Sequence, residues 1–233
     1  MNITTFIYII VGILEIIAEW LGNDTLRFAT KPLLMPLLIV GYRLSLLGAM
    51  TKMDKLLIVA FSFSWIGDVA LMFVGVNPNF FLLGLVGFLI THLLYAAAFT
   101  HLAYVTATPL LPRRAWLLTP LAIYFIALIA MVLPAVETAM KIPVAVYSAV
   151  IATMVIFAIN RFGRVGSLSF LLVIMGAFLF MFSDSLIAIN KFLCHGTLPL
   201  AGVFIMLLYI AGQFLIAQGM LKNNEILTTK SHL

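Results

Sequence analysis

The chain has 233 residues, 64% of them hydrophobic and 9% charged, with a formal net charge of +5 and a mean hydropathy of +1.22. That composition excludes an ordinary soluble domain, in which about a quarter of the residues are charged. It predicts an all-α polytopic membrane helix bundle, because one span takes roughly 20 mostly apolar residues and the length then accommodates about eight spans.

Helices are predicted at about 3–22, 32–50, 56–74, 80–100, 116–134, 143–160, 167–189 and 197–220 from apolar runs bounded by turn residues. The joints are marked by "GNDT" at 22–25, "NPN" at 77–79, "TPLLPRR" at 108–114, "RFGRVG" at 161–166 and "CHGTLP" at 194–199. Short loops make neighbouring helices antiparallel. The first segment has no basic stretch ahead of it and carries Glu15 and Glu19, so it reads as a retained helix rather than a signal peptide. Residues 1–221 form one transmembrane domain in this reading, and 222–233 a mobile polar tail. The lone Cys194 excludes an internal disulfide. Basic residues fall one or two at a time in short loops, which is the pattern of charges flanking spans and not a nucleic-acid signal.

The side holding the N-terminus carries Lys52, Lys55, Arg113, Arg114, Arg161, Arg164, Lys222 and Lys230, and the other side Arg27, Lys31, Lys141 and Lys191. The excess of basic residues places both termini in the cytoplasm, and the expected location is a bacterial inner membrane. A weak internal repeat accompanies this topology. Lys31-Pro32 matches Lys141-x-Pro143, Gly67-Asp68-x-x-Leu71 matches Ser183-Asp184-x-x-Ile187, and Tyr95 matches Tyr209. Four helices separate each pair, so the matches suggest a 4+4 parallel pseudo-repeat about an axis along the membrane normal. The alternative is coincidence among apolar helices.

The ionisable residues inside the spans are not scattered. Asp68 lies in "FSFSWIGDVALMFVG" and Asp184 in "LFMFSDSLIAINKF", each roughly 8–9 Å from the end of its helix at 1.5 Å per residue. Glu15 and Glu19 point to the same half of the membrane, and Lys31, Lys141, Asn190, Lys191 and His195 ring its rim. A charge in a span costs about 2.5–3.5 kcal/mol on insertion scales and marks a functional site by default. In the competing structural reading Lys31 or Lys191 neutralises the aspartates, which then only lock helices together. Glu19 can snorkel to the rim, whereas Glu15, one turn deeper on the same face, is the better pocket residue. His92 falls near mid-membrane and His101 at the opposite rim, which is not the convergence a metal site requires. His92 is either a satisfied core histidine or a partner of Asp68 on the neighbouring helix. Tyr95, Tyr147, Ser148, Tyr209 and Gln213 line a polar seam or make single interhelical hydrogen bonds.

At these residues the chain resembles the YhhN-like family of membrane proteins, the lysoplasmalogenases. The resemblance rests on Lys31-Pro32, "GDVALM" at 67–72, "GFLITHLLYAAAF" at 87–99, "GAFLFMFSDSLIAINKF" at 176–192 and "YIAGQFLI" at 209–216. It implies hydrolysis of the vinyl ether of a lysoplasmalogen to a fatty aldehyde and glycerophosphoethanolamine or glycerophosphocholine, with a lysophospholipid and the bilayer as partners and no cofactor. A vinyl ether opens with acid through an oxocarbenium ion, so the chemistry suits two carboxyl groups, as in glycosidases. Asp68 and Asp184 are then the expected catalytic pair. Lys31 and Lys191 are expected to bind the phosphate, with Glu15, Asn190, His92, Tyr95, Tyr147 and Tyr209 around the substrate. The rival class is a proton-coupled transporter of a small amphiphile, which also uses intramembrane carboxylates.

Overall fold

The structure, a computed structural model, describes residues 2–46, 48–102 and 108–231, with side chains through Ile226. The described residues form eight α-helices: α1 Ile3–Leu21, α2 Asp24–Ser45, α3 Lys52–Met72, α4 Asn79–Phe99, α5 Thr119–Val132, α6 Thr138–Ile159, α7 Ser167–Ala188 and α8 Ala201–Ser231. Seven helical segments are long and apolar enough to cross a membrane, so the protein is a multi-pass membrane bundle. The exception is α2, which has 22 residues but carries Asp24, Arg27, Lys31 and Arg43. It packs against α1, α3 and α8 within the same bundle.

Local chemistry sets the helix ends. The Asn2 side chain accepts from Thr5 N to start α1, and Gly22, at φ 61°, ends it with its N–H on the carbonyls of Ala18 and Glu19. Thr51 and Asp54 form a reciprocal capping box at the start of α3. The predicted starts of α2, α3 and α6 are too late, two of them because of proline. Proline favours the first turn of a helix, so Lys31-Pro32 and Pro143 read as starts. Instead Asn23 caps α2 by accepting from Leu26 N, and Pro32 lies inside the helix; α6 likewise begins at Thr138. Pro36 cannot donate to the carbonyl of Pro32. The Trp65 indole of α3 does so instead, at 2.8 Å.

The stretch read from sequence as a polar tail continues α8 to Ser231; residues 232–233 and the Lys230 side chain lie outside the described residues. Asn223 and Asn224 of this extension are buried. Asn224 donates to Asp54 at 2.9 Å, and Tyr42 donates to the same carboxylate at 2.7 Å. Asp54 therefore ties α2, α3 and α8 together at one end of the bundle.

The two halves repeat a pattern of neighbours. α3 packs on α4 as α7 packs on α8, and α4 contacts α6 as α8 contacts α2. Glycines let the tight pairs approach. A Cβ on Gly87 would lie 3.0 Å from the backbone N of Gly67, and one on Gly176 would lie 2.7 Å from the carbonyl O of Gly212. By contrast α5 is loosely attached, burying only Leu121, Phe125 and Val132. After α7 the chain widens into a π-helical turn, Ile189–Leu193. Gly176→Ala should lower the melting temperature of the purified protein. The backbone collision costs about 1–3 kcal/mol, which outweighs a helix-propensity gain of at most about 1 kcal/mol. Gly75→Ala, with nothing within 4 Å of the added Cβ, should leave the melting temperature unchanged.

Candidate active site

Asp184 lies on α7 one turn before the π-helical stretch and is 5% exposed. Its Oδ2 accepts from the Tyr147 hydroxyl of α6 at 2.7 Å and is 2.8 Å from His92 Nε2 of α4. The other ring nitrogen, His92 Nδ1, is 3.3 Å from Met154 Sδ. A thioether has no proton to give and can only accept, so the hydrogen of that contact sits on Nδ1. Nε2 then either receives a proton from the Asp184 carboxyl or is itself protonated and donates to the carboxylate. In both forms the Asp184–His92 pair holds one proton between its two heavy atoms, and no unpaired charge is left in the apolar interior. The sequence left His92 as a core residue or a partner of Asp68; the structure pairs it with Asp184.

Asp68, 2% exposed, sits at the corresponding place on α3. Its Oδ2 accepts from the Tyr209 hydroxyl of α8 at 2.5 Å. Lys31, buried on α2, lies within electrostatic range of Asp68 and of Glu15, and forms no ion pair within 4.0 Å among the described residues. Glu15 is fully buried; its Oε2 accepts from Thr30 at 2.5 Å, and its Oε1 has no hydrogen-bond partner. Glu19 instead pairs with Arg27 at 3.0 Å.

The two aspartates are within electrostatic range of each other but share no hydrogen-bond partner. An aromatic wall stands between their partners. Phe180 packs edge-on against Tyr209 at 5.3 Å and lies 4.6 Å from the His92 ring, and Phe88 packs edge-on against both Phe180 and Tyr209. The arrangement repeats between the halves. Lys31 and Tyr147 each precede their aspartate by 37 residues. His92 follows Asp68 by 24 residues and Tyr209 follows Asp184 by 25. Each aspartate is bonded to a residue of the other half, Asp68 to Tyr209 of α8 and Asp184 to His92 of α4, and Asp184 also accepts from Tyr147 of its own half.

A cavity of about 40 Å³ reaches Asp184. Its polar wall is Asp184, Tyr147, Ser148 and Ser185, and its apolar wall includes Phe81, Phe88, Phe125, Leu128 and Phe192. Asp68, Lys31 and Glu15 are not on this wall. Phe125 and Leu128 come from the loosely held α5, which is pinned by a 2.7 Å hydrogen bond from Tyr124 to Ser185. Lys191 lies beside the apolar wall, its Nζ 4.6 Å from the centroid of the Phe81 ring. Asn190 serves the following loop, its side chain accepting from Leu198 N at 3.1 Å and its carbonyl from Gly196 N at 2.7 Å. Tyr95 donates to Gln213, which in turn donates to Ser64 at 3.0 Å; this chain continues to Thr91 and does not reach either aspartate. Met154 carried no polar signal in the sequence.

Helices of this length, packed around buried carboxylates with donors drawn from distant helices, define a polytopic membrane protein with an intramembrane polar site. The family profile agrees: it matches residues 26–220, and the chain belongs to the YhhN family, which includes lysoplasmalogenases. No curated protein and no solved structure matches the chain. The matched region runs from α2 into α8 and holds both aspartates, but leaves out Glu15 and Glu19. Removing the single donor to Asp68 tests how far the carboxylate depends on it. Tyr209→Phe should destabilise the protein by about 1–3 kcal/mol, the cost of an unsatisfied buried polar group, and Asp68→Leu in the same chain should recover part of that loss in thermal unfolding.

Proposed function

We propose that the protein hydrolyses the vinyl ether bond of a lysoplasmalogen, releasing a fatty aldehyde and a glycerophospho-alcohol. The observation that carries this reading is the buried Asp184 carboxyl, bonded to Tyr147 and His92 on the wall of a largely apolar cavity that Asp184 and Tyr147 line, in a chain of this family. A vinyl ether is cleaved by proton transfer to carbon, so the site must offer a strong enough acid where water is scarce.

In this mechanism the outer vinyl carbon takes the proton from Asp184, using the π electrons of the double bond. Positive charge develops on the carbon attached to oxygen and is shared with that oxygen. Tyr147 donates to the carboxylate that remains, which stabilises it at the moment it forms. Water adds to the cationic carbon, and its surplus proton returns to Asp184. The resulting hemiacetal breaks its bond to the glycerol oxygen, which leaves with a proton as the alcohol, and the aldehyde remains. Asp68, within electrostatic range of Asp184, adds negative potential when ionised, and Phe88 on the cavity wall adds π density that favours a cation. Lys191, next to the cavity's Phe81 and Phe192, binds the phosphate as a point charge. The alkyl chain lies along the apolar wall and is admitted by displacement of α5.

Purified protein in detergent, given a lysoplasmalogen, should release aldehyde without any sealed compartment, which a transporter would not do. Asp184→Asn keeps the size of the side chain but cannot deliver the proton, and should lose at least about 100-fold in turnover. Near-normal aldehyde release from a folded Asp184→Asn protein would overturn the mechanism. Lys191→Ala should raise KM more than it lowers kcat, because a contact made equally in the ground and transition states contributes to binding and not to the chemical step; a fall in kcat at constant KM would remove Lys191 from phosphate binding.

A further inference from the structure

The turn between α6 and α7 lies at the end of the bundle away from the Asp184 cavity, roughly 25 Å from Asp184 along α7 at 1.5 Å per residue. Arg161 in this turn is fully buried. Its Nη1 donates to the carbonyl of Phe99 at 3.4 Å and its Nη2 to Ser169 Oγ at 3.0 Å, and its guanidinium lies 5.7 Å from the Phe99 ring centroid. No carboxylate lies within 4.0 Å of it among the described residues, and its Nε has no acceptor. Burial lowers the guanidinium to about 10, so it stays charged at neutral pH. Two further buried polar atoms nearby also have no partner, Arg164 Nε and Asn160 Oδ1. The Asn160 amide can turn to present its N–H₂ instead.

Asn160 and Arg164 are on the wall of one cavity of about 150 Å³, together with Phe99, Thr100, Leu102 and Phe157. Arg164, whose Nε has no acceptor, shares this wall with Asn160, and the charged Arg161 lies in the same turn; that set calls for an anion with several oxygens. The fork of Arg matches phosphate better than any other side chain. The apolar side of the cavity indicates where that phosphate comes from. Phe157 is on its wall and is 36% exposed on the outer face of α6, and Phe162 next to the turn is 52% exposed. An acyl chain leaving a phosphate in this cavity would run along that face, and basic pockets at the ends of transmembrane helices are suited to lipid headgroups.

We propose that the cavity at the α6–α7 turn binds the phosphate of an anionic membrane lipid, with Arg164 and Asn160 as its donors and the buried charge of Arg161 in the same turn attracting it. The lipid occupies a place remote from Asp184 and fastens the end of α4 to the α6–α7 turn. The test is thermal unfolding of the full-length protein in detergent micelles doped with phosphatidylglycerol, with phosphatidylcholine, or with inorganic phosphate at millimolar concentration. Phosphatidylglycerol should raise the melting temperature by about 3 °C or more at saturation, and phosphatidylcholine should not. Arg164→Gln should abolish the rise while retaining aldehyde release, and Lys222→Gln, the same charge change elsewhere, should keep it. Asn160→Leu, which fills the cavity from another wall, should also lose the rise, and serves if Arg164→Gln does not fold. An undiminished rise in folded Arg164→Gln or Asn160→Leu would overturn the proposal. So would an equal loss in Lys222→Gln, which would mean general surface attraction. A full rise with inorganic phosphate alone would assign the cavity to a soluble phosphate and overturn the lipid assignment.

Discussion

A polar group at membrane depth has to find its hydrogen bonds within the protein, because lipid offers none. Most of what distinguishes this bundle from a stack of apolar helices follows from that constraint. Asp68 takes its bond from Tyr209, Asp184 from His92 and Tyr147, and Asp54 from Tyr42 and Asn224. Even the backbone follows the rule: Pro36 leaves the carbonyl of Pro32 free, and Trp65 supplies the missing donor. Each of these bonds joins residues of different helices or completes an interrupted one, so the polar contacts decide which helices are neighbours while the apolar surface decides how closely they pack.

The same constraint separates two similar frames into two chemistries. In one half the position 37 residues before the aspartate is Lys31, and in the other it is Tyr147. Lys31 is within electrostatic range of Asp68, whose hydrogen bond comes from Tyr209. Asp184 instead has a phenol and an imidazole on one oxygen, with Met154 on the far side of the ring. The repeated frame thus sets a carboxyl near an ammonium on one side of the Phe88–Phe180 wall and a carboxyl bonded to a phenol and an imidazole on the other, and neither half has to be remodelled as a whole.

Much of this was legible in the sequence, and the exceptions have physical causes. Apolar runs located the helices, and an acid inside an apolar run located Asp68 and Asp184, because burial of charge is costly enough to stand out. Prolines misplaced the starts of α2 and α6, since a proline inside a helix looks the same in sequence as one at its first turn until the donor that compensates for it is known. Adjacency along the chain offered Asp68 of the neighbouring helix as the acid for His92; it meets Asp184 of the other half instead. Met154 gives the histidine its tautomer but has no polar signature. Arg161 read as a loop charge, because exposure belongs to the fold and not to the residue type; it is fully buried.

The bonds that cross between the halves also bear on how the protein is made. Asp68 and Tyr209 are 141 residues apart. At about 5–20 residues per second, synthesis takes roughly 7–28 s to bring the tyrosine out after the aspartate. For most of that interval α1 to α4 are present in the membrane with Asp68 lacking its native donor, and His92 waits in the same way for Asp184. The first half therefore cannot reach its final form as an autonomous insertion intermediate. It has to stay near the insertion machinery, or in contact with water, until the last helix arrives and closes both halves together.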